Sequence, residues 1–511
     1  MKNLRRACGQ VVKSPVNDPM KLDSPGLVIG CGAGFAGDRH DAADAVIEAL
    51  AAYNCPRFLI YEVLAERTLA IAQRLKLADP STGYSPWLHK YLGNALPKCL
   101  DNDVKIIANF GSANPQAAAQ EVLAIANAAN CRTPRIAFIE GDDLLQNFDV
   151  DTLSQLDCIE GTSIAGRELI AANAYLGASG IRDALALQAD VVLVGRTTDS
   201  ALAAGAIANV LNIPDDDFDA IASAVLGGHL IECGSQITGG YFADPGCKPV
   251  NGLADTGFPL LEVYPQGDLV VTKPADTGGL VNPATVIEQL LYEIHDPTSY
   301  LTPDVILDVS DVEVHQLSND RVHISGARGR KPTDTLKVTL SLDGGWLGEG
   351  EISYVGLNAL ARARLAEEIL RERLLGDPAI DADALTNADA FKNADAFKNA
   401  GAFKNADALR IDVIGTRSVF NSNTITENTN LEQDDSTRHD QGEYRVRAAL
   451  TTYDRNRAEH LTDEVLTLYC CGPAGGCGVR QSVVSRVSTA SVLIDRTIVE
   501  SHVQVKFLNA G

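Results

Sequence analysis

The sequence predicts an α/β protein with a mainly parallel sheet and flanking helices, an antiparallel β section, and a second, small α+β domain at the C-terminus. From Leu27 to about Leu211, short apolar segments alternate with Ala-rich segments of helical length. From Pro303 to Tyr354 the apolar residues alternate with period two, and from Ile411 strand and helix patterns resume. Strands that alternate with helices favour a parallel sheet, whereas period-two alternation favours antiparallel strands.

The predicted parallel strands are five short apolar segments, Leu27–Cys31, Arg57–Tyr61, Val104–Asn109, Arg135–Ile139 and Asp190–Gly195. Helical segments such as DAADAVIEALAAY and NPQAAAQEVLAIANAAN lie between them. In the antiparallel section, the DGG at Asp343–Gly345 predicts a hairpin turn. The charged segment ALARARLAEEILRERLL then predicts a helix, because its Glu and Arg residues have helix-pairing spacing.

These patterns divide the chain into a flexible N-terminus (1–25), an α/β domain (26–375), a linker (376–410) and the α+β domain (411–511). The linker contains four near-identical hexapeptides, from NADAFK to NADALR, between Asn387 and Arg410. A six-residue period advances a helix by roughly 600°, so successive Phe residues would point about 120° apart and form no apolar stripe. We therefore expect an exposed, partly helical linker.

The composition excludes several classes of partner. The chain has 511 residues, 43 basic and 67 acidic, with a net charge of −24, so its surface repels nucleic acid and anionic membranes. No apolar run approaches the ~20 residues that cross a bilayer. Eleven scattered Cys residues without a C-x-x-C pair favour buried thiols in a reducing compartment. We expect a cytoplasmic homo-oligomer that binds neither nucleic acid nor membrane.

The segment GLVIGCGAGFAGDR contains the spacing G-x-G-x-x-G at Gly32, Gly34 and Gly37, between a predicted strand and a helix. This is the context of a dinucleotide fingerprint. However, the acid that ends the next strand, Glu62, comes 30 residues after Gly32, whereas the fingerprint places it at roughly 20. Asp38 would also repel a pyrophosphate while capping the helix. The pattern favours a tight strand-to-helix turn, and an NAD-linked site stays open as an alternative.

Polar residues follow all five predicted parallel strands. In an open α/β sheet, ligands bind at the carboxyl ends of the strands, so we expect these residues to line a pocket. Arginines at this edge suit a carboxylate or phosphate, and aspartates suit an acid or a metal ligand. Taken singly, each could instead be a cap or turn residue. In chain order they are Asp38 and Arg39, Glu62, Asn109, Asp142 and Asp143, and Arg196 and Asp199.

The densest polar set among glycines is GGHLIECGSQITGGYFADPG. His229 and Glu232 are three residues apart and would share a face of a helical turn. They could form a general base with its orienting carboxylate, or could bind a divalent metal together with Asp244. Alternatively, His229 packs under a loop and Glu232 makes an ion pair. The adjacent Cys233 is either a nucleophile or, as for most such residues, a buried and inert thiol.

A further glycine-containing segment, TKPADTGGLV, offers a possible anion site. Lys273 and the backbone amides of Gly278 and Gly279 would suit a carboxylate or a CoA phosphate. The chain contains no nucleophile-elbow motif and no P-loop, which removes the common hydrolase and NTPase interpretations.

Many segments in order give the chain a family resemblance. They include GCGAGFAGDRHDAADAV, ADPSTGYSPWL, GSANPQAAA, GRTTDSAL, GGHLIECGSQITGGYFADPG, TKPADTGGLV and SGARGRKPTDTLKV. Over nearly all of 26–375 the chain resembles the acyclic terpene utilisation protein family, AtuA. LYCCGPAGGCGVRQSVV also resembles the second, smaller domain of that family. Two departures are the hexapeptide repeat and Cys477 within a Gly loop.

The resemblance implies a role in the catabolism of branched acyclic terpenoids and related acids, whose intermediates are CoA thioesters. We therefore predict an enzyme with lyase or hydratase chemistry, or alternatively hydrolase chemistry, on a small acyl-CoA or a related acid. A divalent metal stays open as a cofactor, and a non-catalytic scaffold or carrier is a further alternative. The predicted catalytic residues are His229, Glu232, Asp143 and Asp199. The predicted substrate-binding residues are Gly32, Gly34, Asp38, Arg39, Glu62, Asn109, Asn114, Arg196, Lys273 and Gly278.

Overall fold

The computed structural model describes residues 22–146, 148–161, 164, 167–375, 408–416 and 442–508. The predicted N-terminal segment is thus described only from residue 22. Of the predicted linker, only residues 408–410 are described, and they begin a strand; the rest of the hexapeptide repeat lies outside the described residues.

The strands are numbered in chain order. They are β1 (Leu27–Ala33), β2 (Arg57–Tyr61), β3 (Val104–Ala108), β4 (Ile136–Glu140), β5 (Leu169–Ala174), β6 (Val191–Leu193), β7 (Leu260–Val263), β8 (Leu269–Thr272), β9 (Tyr300–Leu301), β10 (Ile306–Asp308), β11 (Glu313–Ser318), β12 (Arg321–Ser325), β13 (Arg328–Arg330), β14 (Thr335–Val355), β15 (Ala408–Ile414), β16 (Glu443–Thr452), β17 (Cys477–Asp495) and β18 (Gln504–Phe507).

The helices are α1 (Ala42–Ala51), α2 (Glu66–Ala78), α3 (Leu88–Asp101), α4 (Pro115–Ala128), α5 (Val150–Ser154), α6 (Ser179–Ala186), α7 (Ala201–Leu211), α8 (Phe218–Ile231), α9 (Pro283–Leu290), α10 (Ala359–Leu375), α11 (Arg455–Cys471) and α12 (Arg496–Glu500). Among the described residues, none of these helices combines the length and the apolar character that crossing a membrane requires.

The largest sheet has ten strands in the order β11-β12-β8-β7-β1-β2-β3-β6-β4-β18. Its centre, from β1 through β2, β3 and β6 to β4, is parallel. The strands on either side of this centre pair antiparallel. The predicted α/β class and the parallel sheet are therefore confirmed for this portion, while the sheet as a whole is mixed.

The parallel strands form where they do because both of their faces are covered. Strand β1 is buried along its whole length, and β3 and β4 nearly so, which explains why they read as continuous apolar runs. Helix α1 packs so closely on β1 that a Cβ on Gly30 would lie 2.2 Å from Cγ1 of Val46. Glycine at this position therefore allows the helix to approach the sheet.

The hairpin predicted at Asp343–Gly345 is wrong. These residues lie inside β14, which continues as one strand and pairs with β16 from Trp346 to Val355. Gly345 has a φ of 70°, a conformation that L side chains rarely adopt. Glycine there accommodates an irregular position within the strand, whereas a hairpin would need the chain to reverse.

The contacts between residues group the chain into two compact units. The first comprises the described residues within 1–153, 170–340 and 492–511, and the second comprises those within 154–169 and 341–491. The second unit contains the sheet order β15-β16-β14-β17. Its buried core includes Leu370 of α10, Val446 of β16 and Val465 of α11. The domain boundaries that we predict from the sequence stay a prediction.

Candidate active site

Polar side chains from the carboxyl ends of β2 and β3 are joined by direct hydrogen bonds. Asn109 donates from Nδ2 to Oε1 of Glu62 over 2.9 Å, and its Oδ1 accepts the backbone N–H of Val63 over 2.8 Å. The N–H of Leu64 also donates to Oε1 of Glu62, over 3.0 Å. Both Glu62 and Asn109 are buried. The predicted convergence at this edge of the sheet therefore occurs for these two residues.

Arg196, which follows β6, supplies the positive charge of this region. Its side chain is only 2% exposed, and it lies over the ring of Tyr175 with 4.6 Å between the guanidinium carbon and the ring centre. Nε donates to the carbonyl of Thr197 over 2.9 Å, and Nη1 donates to the carbonyl of Leu64 over 2.7 Å. Nη2 pairs with Asp199. Most of its donors are thus used within the chain, so Arg196 acts as a fixed charge here.

Of the carboxyl groups in the field of that guanidinium, the pKa of Glu66 is lowered, despite partial burial, by its hydrogen bond to Tyr175 and by Arg196, whereas three others have a raised pKa. Burial raises the pKa of Glu62 well above its ordinary value, and the charge of Asp199 raises it further, whereas Arg196 lowers it. Burial likewise raises the pKa of Glu232 well above its ordinary value, with added repulsion from Asp199. The pKa of Asp199 is also raised by burial, against the effect of Arg196. These groups retain protons at a pH where exposed carboxyl groups are ionised.

The pair His229 and Glu232 forms at the end of α8, as the three-residue spacing predicts. Nδ1 of His229 lies 3.2 Å from Oε1 of Glu232. Burial lowers the pKa of His229, which favours the neutral imidazole. Oε2 of Glu232 is buried and has no hydrogen-bond partner among the described residues. The pair therefore presents a carboxyl oxygen that is free to exchange a proton or to bind a ligand.

The two aspartates that follow β4 differ in their surroundings. Oδ2 of Asp142 accepts the backbone N–H of Arg196 and Nδ2 of Asn173, each over 2.9 Å. Burial raises the pKa of Asp142 to about 6. Asp143, which we predict to be catalytic, instead accepts from Nε2 of Gln146 over 3.2 Å and lies 3.7 Å from Nζ of Lys76. Asp142 is thus the aspartate that holds the backbone of Arg196.

The glycine turn after β1 packs against the residues that follow α8. A Cβ on Gly34 would lie 2.3 Å from the carbonyl carbon of Cys233. A Cβ on Gly32 would lie 2.5 Å from the ring of Tyr61. Oδ2 of Asp38 accepts the N–H of Gly34 over 2.9 Å, so the turn already holds a carboxylate of its own. The glycines therefore serve close packing around an internal anion.

Cys233 adjoins the pair but does not have the properties of an activated thiol. Burial raises its pKa, and the charge of Glu232 raises it further. A protonated thiol is a poor nucleophile. The geometry therefore favours the inert-thiol interpretation.

Two predicted binding cations are used in local contacts. Arg39 donates to both carboxylate oxygens of Asp41, over 3.2 and 2.9 Å, and lies 3.4 Å from Asp255. Lys273 donates to the carbonyl of Thr277 over 2.7 Å. Neither cation is hydrogen-bonded to the carboxyl groups around Arg196.

Asn114 and the glycines of the TKPADTGGLV segment also have local structural contacts. Asn114 is the N-cap of α4, and its Oδ1 accepts the N–H of Ala117 over 3.2 Å, as expected for an Asn before a helix. The amides of Gly278 and Gly279 donate to the carbonyls of Asp255 and Asn251, over 2.8 and 2.9 Å. The backbone donors that would hold an anion are therefore already paired.

The prediction from sequence missed Tyr175 and Tyr300. The hydroxyl of Tyr175 is hydrogen-bonded to Glu66, and its ring lies under Arg196. The ring of Tyr300 lies 5.8 Å from that of His229. Tyr175 directly follows β5, as the other site residues follow their strands, and this position is the signal that could have identified it.

The described residues also show whether the polar side chains of the site could bind a metal ion. Within the described part of the chain, no group of three or more His, Cys, Asp or Glu side chains is placed to hold a metal ion. Asp244, considered as a metal ligand beside His229, lies in a short antiparallel backbone bridge with Lys248. The arrangement is suited to moving protons between buried carboxyl groups.

Fold and site together define an α/β protein with buried acid–base groups at the carboxyl ends of parallel strands, where this class of fold places its ligands. The model of the acyclic terpene utilisation family protein AtuA matches residues 27–505. The chain therefore belongs to the AtuA family, which implies a role in acyclic terpene utilisation. The comparisons with curated proteins and with solved structures find no significant match.

Proposed function

We propose that the chain is an enzyme that acts on a branched, acyclic terpenoid acid carried as a CoA thioester, by lyase- or hydratase-type acid–base chemistry. Family membership supports a substrate related to acyclic terpenes. The observation that carries the chemistry is the raised pKa of Glu232, whose Oε2 has no partner in the described structure, beside neutral His229. A general acid or base works best when its pKa lies near the operating pH.

Hydration of an α,β-unsaturated thioester adds water across the carbon–carbon double bond and requires two proton transfers. Water gives a proton to a carboxylate as its oxygen bonds to the β-carbon, and a carboxylic acid gives a proton to the α-carbon. Asp199, which pairs with Arg196, would take the proton from water, and Glu232 would give a proton to the α-carbon. Arg196 supports a state with one group ionised and the other protonated, because it balances the charge of Asp199, whereas burial favours the protonated form of Glu232.

His229 and Arg196 would be positioning residues. His229 holds the carboxyl group of Glu232 through Nδ1, and Arg196 holds Asp199 while its backbone is held by Asp142. In the reverse direction the same groups would remove water.

The test is hydrogen exchange in D₂O with geranoyl-CoA, a branched acyclic monoterpenoid thioester. We expect the protein to add water, and to place deuterium on the α-carbon, as measured by mass spectrometry and NMR. Glu232→Gln should slow this exchange by about 10²–10⁴-fold, the usual contribution of a general acid or base. The control is Glu288→Gln, which changes a half-exposed side chain of α9 and should leave the rate unchanged.

The absence of exchange and of product with the wild-type protein would overturn the proposal and favour the scaffold alternative. Full activity of Glu232→Gln would remove Glu232 from the reaction. An NAD-linked reaction gains no support from the site, because the amide of Gly34 already donates to Asp38. The cytoplasmic location, the homo-oligomeric state and the lack of nucleic-acid and membrane partners are proposals that rest on composition alone.

A further inference from the structure

Strand β17 is the end strand of the sheet in the second unit. In the order β15-β16-β14-β17 it pairs with β14 on one side, and no described strand lies on its other side. Its 19 residues exceed the roughly 3–10 residues of an ordinary strand. Every residue from Cys477 to Val484 is exposed or half-buried. We call this segment, 477–484, the open edge.

The rest of the same sheet is better covered. Farther along β17, the carbonyl of Ser491 accepts the N–H of Ile159 over 2.8 Å, and the N–H of Ser491 donates to Oε2 of Glu160 over 3.0 Å. At the opposite end of the sheet, Ile411 of β15 is buried in the core. Val479 of the open edge, in contrast, packs against that core only in part. The open edge therefore offers its outer backbone groups to a partner strand.

Helix α11 places an apolar flank beside the open edge. Nε2 of Gln481 donates to the carbonyl of Thr462 over 2.8 Å, so this side of the helix faces β17. Leu466 and Tyr469 come four and seven residues after Thr462 and therefore share its side of the helix. Both side chains are exposed. The other flank of α11 carries Glu464, which is paired with an arginine of α10.

The composition of β17 indicates which partner this edge admits. Natural proteins usually protect an edge strand with charged side chains, prolines or a covering segment. The segment from Cys477 to Leu493 contains no Asp, Glu or Pro, although the whole chain has 67 acidic residues and a net charge of −24. Acidic surfaces of two copies repel each other. Two copies therefore approach each other at the lowest electrostatic cost where acidic residues are absent, as they are here.

We propose that the open edge is the interface of a homodimer, in which β17 pairs antiparallel with β17 of a second copy. An antiparallel strand pair is self-complementary, since both strands supply the same alternation of donors and acceptors. A two-fold axis therefore lets the same segment serve both copies. The pairing joins the two sheets into one continuous sheet and brings the apolar flanks of both α11 helices to the same face of it. The interface lies in the second unit and does not depend on the acid–base reaction proposed above.

The test is sedimentation equilibrium of the full-length protein, which measures the dissociation constant of the dimer. Leu466→Glu adds one carboxylate from each copy to the apolar flank, and it should weaken the dimer at least tenfold. The control is Leu365→Glu on α10, because Leu365 is 47% exposed and Leu466 is 46% exposed; this variant should dimerise as the wild type does. Val484→Lys, at an exposed position of the open edge, provides a second test, because an edge lysine opposes strand pairing. It should also weaken the dimer.

Hydrogen exchange of the backbone amides locates the interface. Alternate amides of the open edge should exchange severalfold more slowly in the wild-type dimer than in the Leu466→Glu monomer, because strand pairing protects them. The amides of β15, at the opposite end of the sheet, should exchange at the same rate in both proteins.

A wild-type protein that stays monomeric at about 100 µM would overturn the proposal, and it would leave the open edge to an extended peptide of another protein. A dimer that is unaffected by both Leu466→Glu and Val484→Lys, or that Leu365→Glu weakens equally, would also overturn it. The same holds for a dimer in which the amides of the open edge are not protected. Sedimentation and exchange need no substrate, so these results are independent of whether the proposed reaction takes place.

Discussion

Two buried glutamates of the same unit should respond in opposite ways to the same substitution. Glu232 is 6% exposed, has one unpaired oxygen among the described residues, and has a pKa raised by burial. Glu262 is 2% exposed, but it accepts two hydrogen bonds of 2.7 Å from Arg321 and one of 2.8 Å from Tyr53. Its pKa is lowered, because these hydrogen bonds outweigh burial. We expect Glu232→Gln to stabilise the protein and Glu262→Gln to destabilise it.

The sign of each change in stability follows from the linkage between proton binding and folding. The folded state holds the proton of Glu232 more tightly than the unfolded state, so ionisation of Glu232 costs stability as the pH rises from its unfolded to its folded pKa. Each pKa unit corresponds to about 1.4 kcal/mol, and we expect Glu232→Gln to gain at least ~1 kcal/mol at about pH 8. Glu262 stabilises the fold above its unfolded pKa, and this contribution is lost as the pH falls through its folded pKa. Because Arg321 is about a third exposed, removing this carboxylate should cost about 1–3 kcal/mol.

Urea unfolding at about pH 8 and about pH 5.5 measures both effects in the two variants and the wild type. Glu232→Gln should be the more stable protein at the higher pH, and its advantage should shrink at the lower pH. The same preparation should have lost exchange activity with geranoyl-CoA. Destabilisation of Glu232→Gln at pH 8 would refute the reasoning, because it would mean that Glu232 supports the fold as Glu262 does.

Three further predictions concern other residues of the first unit. Arg196→Met should destabilise the fold by about 3–5 kcal/mol in urea unfolding, because it leaves buried carboxyl groups without a partner charge, and an unchanged midpoint would contradict this. Iodoacetamide should label exposed Cys247 much faster than Cys233 in peptide mapping, because burial and a neighbouring carboxylate raise the pKa of Cys233; equal rates would contradict it. Gly34→Ala should lower the free energy of unfolding by about 1–3 kcal/mol through overpacking. Its control, Gly93→Ala, should raise the free energy of unfolding by about 0.5–1 kcal/mol. Gly93 lies in α3, and its added Cβ would meet no described atom within 4 Å.

The sequence could predict which strand ends converge, because a parallel sheet places the carboxyl ends of its strands at one edge. Glu62, Asn109 and Arg196 each follow such a strand, and hydrogen bonds connect all three to the backbone between β2 and α2. The spacing of His229 and Glu232 also predicted their contact correctly, because helical geometry alone brings residues three apart together.

The roles within each turn could not be predicted, since they depend on the direction of single side chains. Asp142 and Asp143 are adjacent, yet one binds the backbone of Arg196 and the other faces Lys76. Arg39 follows β1 in the manner of the other site residues, but nearer carboxylates occupy its guanidinium. Sequence position gives the edge of the sheet to which a residue belongs, whereas the partner of its side chain is decided by tertiary packing.

The contrast between Glu232 and Glu262 distinguishes the proposed catalytic acid from a structural acid within one unit. Folding selects ion pairs like that of Glu262, in which both carboxylate oxygens are paired and the pKa falls. The cluster around Arg196 has more carboxyl groups than guanidinium groups, and the pKa values of Glu62, Asp199 and Glu232 rise. Such an arrangement costs stability, and buried acids with raised pKa are concentrated at catalytic sites. The cost of this cluster to the stability of the fold therefore supports the proposed acid–base chemistry.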